Sequence, residues 1–567
     1  MGIPVCLTQT NNTKAGESIV KAVTSKVAVA LALSLTAGSA LAKDTITLNG
    51  FDMTIDQAWA IAAGDADVDI AKKAETRLDK AYDTLMTAAR LGKPVYGLTV
   101  GVGLNKDHKL FDASGEMTKE ALKASKEFQI NALRAHSAGV GEPMPAEMVR
   151  LGMAVRLNTL LHGQTGVQPQ VADLYEAYLN NDIVPVIPSK GTVGEADILL
   201  ASHVGLAMLG EWEVFYKGER MSSSKAMKKA GIKPLNPIGK DALSILSNNA
   251  FATAYAMQGL KDAEQVLEVA PTLFGLSLEG LNGNVAPFLP QTNGVRPFPY
   301  VQATSDTILN KLDGSYLWDL NDTRPLQDPL SFRTSGYTFA MAEKAADELE
   351  AMLKIQINAS DDNPAVVLNP GKKYVNKPQV AKYLIDGKGG VFPTTNFNPL
   401  PVAMAVQQLS VAMTQVSHNS VMRSTRLSDD HFTHLPRFLT APGNVGHAFG
   451  AIQKAYVDLH VRNKQLAQPV SFEGVAIAGN IEDTFTNLKL ASDNLIQISD
   501  NLSTIFGLEL FHSAQAIDLR KLDNPKLKLG KETGKMYKEY RKLVKFVDKD
   551  RPYTPDFKAS TEFVKAY

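Results

Sequence analysis

The sequence predicts a mainly α protein built on a long central helical bundle with a few short strands. Three observations carry that expectation. Apolar residues recur at helical spacing over 148–163 ("MVRLGMAVRLNTLLHG"), 337–358, 401–427, 448–467 and 481–517, which is the pattern of amphipathic helices. None of these stretches keeps a heptad register, so they suit a bundle with a buried interior rather than a lone coiled coil. Strand signals are few: "DTITLNG" (44–50) and "EVFYKGE" (213–219) read as short hairpins. Gly- and Pro-rich stretches at 91–103, 183–195, 283–300 and 369–400 punctuate the helices. They belong at the bundle ends, where sites are commonly built. The Lys- and Tyr-rich tail from Asn524 reads as a peripheral helix.

Composition excludes several classes of function. The 567 residues carry 59 basic and 59 acidic side chains, without the basic surplus of a nucleic-acid or anionic-membrane protein. Lys14, Lys21 and Lys26 precede the apolar run "VAVALALSLTAGSALA", which ends in Ala40-Leu41-Ala42 before Lys43-Asp44. That is the layout of a secretory signal peptide over 1–42 and implies a periplasmic or secreted mature chain. A short N-terminal anchor and a disordered tail are the plainer readings. The one cysteine, Cys6, precedes that run, so a mature chain has no thiolate nucleophile, thiolate metal site or iron–sulfur cluster. Histidines are scattered without metal-ligand spacing, and neither a P-loop nor a dinucleotide fingerprint is present.

Several segments in order resemble the aromatic amino acid ammonia-lyase family. "VYGLTVGVG" (95–103) is similar to its Tyr-Gly-x-x-x-Gly-x-Gly loop, and "FQINALRAHSAGVG" (128–141) to its Gln-x-x-Leu-x-x-Ser-His stretch. "LNTLLHGQTGV", "LQDPLSFR" (326–333), "SDDNPAVV" (360–367), "NFNPLPVAMA" (396–405) and "GNIEDTFTN" (479–487) extend the resemblance to about residue 520. It implies an elongated helical fold, a homotetramer with sites shared between subunits, and elimination of an α-amine with a β-proton. The implied organisation is an N-terminal lyase domain with the glycine loop at 43–240, a central bundle at 241–520 and a C-terminal peripheral helix and tail at 521–567.

The resemblance also assigns residues. Tyr96 is the implied base for the β-proton, Arg333 the clamp for the substrate carboxylate, Asn363 a site residue and Phe397 a packing residue near the cofactor. His136 sits where histidine and tyrosine lyases contact the substrate ring, which favours an imidazole or phenol. Each has a plainer reading: Tyr96 as loop packing, Arg333 as a surface ion pair, Asn363 as a turn residue before Pro364, Glu482 as a helix-dipole partner.

The family's 4-methylideneimidazol-5-one cofactor forms from Ala-Ser-Gly. Here the corresponding place reads Gly194-Glu195-Ala196-Asp197-Ile198, with neither the serine nor the glycine that cyclisation requires. A literal Ala113-Ser114-Gly115 occurs elsewhere and reads as a helix N-cap. Leu330 stands where the family has tyrosine, and Ser247 where it has a cofactor-holding asparagine. Lys454 is gained on a helical face expected to be buried; it reads either as a snorkelling lysine or as a partner of Glu482 in the pocket. With no electrophilic cofactor, the substrate must carry its own leaving group. An aromatic betaine does so, because trimethylamine departs neutral; ergothioneine, yielding thiolurocanate, is the expected example. Glu195 or Asp197 would then face the trimethylammonium cation, or else cap the following helix. A histidine or tyrosine ammonia-lyase and a non-catalytic betaine-binding protein are the rival readings. No metal and no cofactor are expected.

Overall fold

A threonine–glutamine capping box starts the first helix of the described residues. Thr54 Oγ1 accepts the Gln57 amide at 3.1 Å, and the Gln57 side chain accepts the Thr54 amide at 2.9 Å, starting the helix Ile55–Ala63. That helix is the crossover between β1 (Asp44–Leu48) and β2 (Ala66–Ile70), which pair in parallel. The hairpin expected at 44–50 is therefore corrected: a parallel partner requires an intervening helix rather than a tight turn. The computed structural model describes residues 43–99 and 119–567. The expected signal segment with Cys6, glycine-loop residues 100–103 and Ala113-Ser114-Gly115 lie outside them.

The helices that position the site follow in order: α1 (Lys119–His136), α2 (Ala146–Leu161), α3 (Ile198–Met208), α4 (Asp241–Leu246) and α5 (Ala250–Leu281). Between α3 and α4, β3 (Glu213–Tyr216) and β4 (Glu219–Ser222) form the expected antiparallel hairpin. Its two-residue turn places Lys217 at φ 51° and Gly218 at φ 79°, as the twist of a hairpin demands. The chain continues with α6 (Ser335–Gln356), α7 (Leu400–Leu427), α8 (Gln453–Leu466) and α9 (Leu488–Asp523). The tail forms two helices, α10 (Lys531–Leu543) and α11 (Thr554–Ala566), separated by the polar "DKDRPY" stretch rather than merged into one.

α5 and α9 make the most extensive helix–helix contact, and α7 packs on both. Both central helices are buried on nearly every face, the condition in which an all-round apolar helix is stable. One ionic cluster locks them together. Arg423 of α7 grips Glu509 of α9 at 2.6 and 2.8 Å, and Ser277 of α5 donates to the same carboxylate at 2.6 Å. All of these groups are buried, so removing one partner would leave an uncompensated charge. Asp44–Tyr567 form one compact unit. No helix among the described residues is long and apolar enough to cross a membrane.

Candidate active site

The cavity nearest the motifs is built on one face of α1. Phe128, Gln129, Ala132 and His136 fall at successive helical turns, and all line a cavity of about 310 Å³ together with Tyr96, Leu243 and Glu482. That volume suits a small aromatic ligand. Tyr96 precedes Gly97, whose φ of 73° and close approach to Leu243 exclude a side chain: a Cβ there would lie 2.5 Å from Leu243 Cδ2. Buried Gln129 fixes the neighbouring wall, accepting the Ala242 amide at 2.8 Å. His136 donates through Nδ1 to the Ala132 carbonyl at 2.7 Å. That bond places a proton on Nδ1 and leaves Nε2 as the ring nitrogen that can meet a ligand.

Glu482 reaches this cavity from a tight hairpin, not from a helix. Its backbone pairs with Ile477 through both amides, at 2.9 and 3.4 Å, and Ala478, Gly479 and Asn480 all take positive φ. The helix expected from 481 begins at Leu488. The reason is a cross-tie: Thr486 Oγ1 donates to the Gly194 carbonyl at 2.6 Å, and the Asn487 amide donates to the Val193 carbonyl at 2.9 Å. Those bonds hold 486–487 against the 191–197 loop instead of winding it. Gly194 is required there, because at φ 81° a Cβ would lie 2.1 Å from Thr486 Oγ1.

The Glu195-Ala196-Asp197 triplet lies where helix N-termini meet. α3 starts directly after it, Ala252 of α5 donates to Asp197, Thr486 and Asn487 ahead of α9 bond the adjoining Gly194 and Val193, and Asn398, two residues before α7, donates to Glu195 Oε1 at 3.3 Å. Such termini carry partial positive charge and favour anions. Glu195 is half-buried, and its carboxyl is pushed up to about 7, first by burial and second by the nearby Glu482 charge. Asn249, ahead of α5, joins the segments: its Oδ1 accepts the Ala196 amide at 3.2 Å and its Nδ2 donates to the Phe397 carbonyl at 2.7 Å. The triplet does not fit the methylidene-imidazolone. It offers no serine hydroxyl to become the methylidene, and the Asp197 amide, at the place of the attacking nitrogen, is bonded to the Asn248 carbonyl at 2.6 Å.

An aromatic amino acid lyase family model matches residues 53–542. The chain belongs to that family. It is therefore a carbon–nitrogen lyase, and its substrate class is a small amino acid or betaine. It is 30% identical to the histidine ammonia-lyase of Treponema denticola over 522 residues, covering 92% of this chain and 96% of that one. It is 37% identical to the ergothioneine-degrading enzyme ergothionase of Treponema denticola, solved with desmethyl-ergothioneine sulfonic acid. That match covers 92% of this chain and 99% of the other, with a TM-score of 0.83. The Trypanosoma cruzi histidine ammonia-lyase, at 22% identity and a TM-score of 0.76 over 92% of this chain and 93% of that one, shares the fold.

Within this lyase fold the expected site residues separate into groups. Tyr96, His136 and Glu482 share the cavity, with Glu195 close to Glu482. Phe397 is half-buried next to Asn398. Asn363 sits beyond it, its Oδ1 accepting the Thr394 amide at 2.9 Å. It follows Asp361 and Asp362, which hold buried Arg156 of α2 at 2.8 and 3.1 Å. Ser247 is the buried C-cap of α4 and Leu330 is exposed. The polar work at the triplet falls to Asn248 and Asn249, which sequence reasoning passed over. Their signal was an Asn-Asn pair directly ahead of a long apolar helix.

One expectation is corrected, and two residues lie away from the cavity within one chain. Asp197 does not face the cavity. It is fully buried, accepting Thr192 Oγ1 at 2.8 Å and the Ala252 amide at 2.7 Å. It caps α5, not the helix that follows it, because the first amides of α5 lack intrahelical partners. Asp197→Ala should cost about 1–3 kcal/mol by leaving that amide unsatisfied, read by urea denaturation. Asp197→Asn should leave substrate KM unchanged, and a KM rise would return Asp197 to the substrate. Lys454 lies on an exposed face of α8 and meets no ion-pair partner among the described residues. The buried positions of α8 are Tyr456 and Asn463, and Lys454 stands two residues, roughly 200°, from Tyr456. Arg333 lies at the far end of α5. Asp328 accepts the Asn284 amide at 2.7 Å just beyond that helix, and Arg333 itself donates to Gln327 at 2.9 Å.

Proposed function

We propose that this lyase eliminates trimethylamine from an aromatic betaine, ergothioneine first among them, giving thiolurocanate without a methylidene-imidazolone. The observation that carries the reading is half-buried Glu195 at the place of the cofactor-forming triplet, held by Asn398 and near enough to Glu482 to feel its charge. An added carboxylate attracts a fixed cation, while the family's electrophile needs a free amine or ring to attack. Likeness to ergothionase over nearly the whole chain supports the same reading.

In this reading Tyr96 takes the β-proton as general base. The C–H electron pair becomes the new carbon–carbon double bond, and the C–N pair leaves with neutral trimethylamine. His136 contacts the thioimidazole, and Glu482 with Lys454 stabilises the charge that develops on it. Arg333 holds the carboxylate, and Phe397 and Asn363 complete the wall. Arg333 and Lys454 reach the site from other copies in a homotetramer. Lys454, Val457 and Val461 form one stripe on α8; both valines are exposed, as are Met404 and Val411 on α7. Exposed apolar groups at that density mark a contact surface. Export of the mature chain belongs to the same proposal, and N-terminal sequencing of the secreted protein tests it.

Purified protein is incubated with ergothioneine, histidine and tyrosine while ultraviolet absorbance and released amine are followed. The expected outcome is trimethylamine from ergothioneine alone. Ammonia from histidine, which the histidine ammonia-lyase relatives and His136 favour, would replace this reading with theirs. Binding without any product would make the chain a betaine-binding protein.

A further inference from the structure

We infer that Glu195 is a proton-linked cation site: its carboxyl, next to the cavity that Glu482 lines, holds a proton in the free protein and gives it to solvent when a permanent positive charge binds beside it. The inference rests on the betaine reading and deepens it, since it names what recognises the quaternary ammonium and at what cost in protons.

The geometry points there from several sides. Glu195 is half-buried, its one side-chain partner is the neutral Asn398 amide at 3.3 Å, and no lysine or arginine lies within ion-pair distance of it or of Glu482 among the described residues. The titratable groups around it are accounted for element by element. Glu482 faces it from the 477–482 hairpin, and Tyr96 and His136 line the cavity that Glu482 enters. Asp197, on its own loop, is committed to Thr192 and Ala252. Asp361, which acts on Asp197, is matched by Arg156. Among the described residues of one chain, the helix N-termini are the positive counterweight to the two carboxylates, and Arg333 and Lys454 could add to it only from other copies. Burial and the Glu482 charge together push Glu195 up to about 7. Were Lys454 of another copy to neutralise Glu482, burial, the larger cause, would still act on Glu195.

A trimethylammonium group has no proton to donate, so it cannot replace the lost proton through a hydrogen bond. It compensates the carboxylate only by charge. Ionised Glu195 is therefore stabilised by the bound cation, and the proton leaves to buffer. The sign follows from linkage: cation binding tightens as pH rises through about 7 and weakens below it. The same shift acts on folding. Because the folded protein holds this proton more firmly than the unfolded chain, stability is lost as pH rises from about 4.5 toward 7.

The test is calorimetric titration of the full-length protein with tetramethylammonium chloride, in phosphate and in Tris, across pH 6–8, alongside ergothioneine titrated into Tyr96→Phe. Near pH 7 about half a proton should be released per cation bound, and affinity should rise about tenfold from pH 6 to pH 8. In Glu195→Gln the release should vanish and the pH slope flatten to within about twofold, while Asn398 keeps an acceptor. That variant should also melt higher than wild type at pH 8, a gain that shrinks toward pH 4.5. Absence of tetramethylammonium binding, or proton release that survives in Glu195→Gln, would overturn the inference. Release with tetramethylammonium but no binding of ergothioneine would keep the site and remove ergothioneine as substrate. Ergothioneine turnover whose pH dependence is unchanged in Glu195→Gln would do the reverse.

Discussion

Tyr96→Phe should lower kcat for ergothioneine about 10³-fold, within the range that a positioned general base contributes, and leave its dissociation constant within about threefold. The expectation follows from position and chemistry together. Tyr96 lines the same cavity as His136 and Glu482, and Gly97 after it is packed too closely on Leu243 to shift. The phenolic ring is therefore presented by a backbone that cannot drift, and phenylalanine keeps the ring while removing the oxygen. A loss confined to kcat identifies an interaction made in the transition state, whereas an equal rise in KM would identify uniform binding. His136 and Glu482 remain ionisable in the cavity of the variant, so a residual rate comparable to wild type would mean that one of them takes the proton and that Tyr96 only packs. Rapid-quench measurement of a single turnover separates the chemical step from product release.

How much of this was legible in the sequence differs by element. The long helices α6, α7 and α9 were legible because apolar spacing at a period of 3.6 is local information, whereas α5, buried on nearly every face, carries no one-sided stripe and was not singled out. The start of α9 was not, because what stops the helix short of Leu488 is Thr486 and Asn487 bonding to a loop 292 residues away. Asp197 was misread for the same reason. An acidic residue before a helix looks like the cap of that helix, yet Ala252, far along the chain, takes its oxygen. Lys454 shows a different limit. The apolar residues of α8 suggested a buried face, but Val457 and Val461 are exposed within one chain, so apolar spacing alone did not tell which face the chain itself covers. On α1 the sequence singled out His136 alone, through the motif at 128–141; that Phe128, Gln129 and Ala132 share its face and line the cavity became visible only in the fold.

That limit carries the second large effect. Two variants that are each inactive, Tyr96→Phe and Arg333→Ala, should regain turnover when co-expressed and purified as mixed oligomers. In a single chain Tyr96 and Arg333 cannot meet. Asp197 holds the first turn of α5 near the Tyr96 cavity, Asp328 holds Asn284 just past its last turn, and the helix between them has 32 residues. At 1.5 Å per residue it spans roughly 48 Å, and the few residues from Asp328 to Arg333 return at most roughly 17 Å of that. An arginine clamp on the substrate carboxylate must then come from a second copy whose α5 runs the other way. Antiparallel pairing of copies about a two-fold axis supplies this geometry. If each site takes Tyr96 from one copy and Arg333 from another, random mixing makes about a quarter of the sites fully wild type, so the mixture should recover about a quarter of wild-type kcat per site. A mixture no more active than its two components would place the whole site within one chain, and Arg333 would then revert to a partner of Gln327 with no part in the chemistry. The same measurement with Lys454→Ala in place of Arg333→Ala reports on the lysine independently, because α8 presents Lys454 on the exposed stripe with Val457 and Val461.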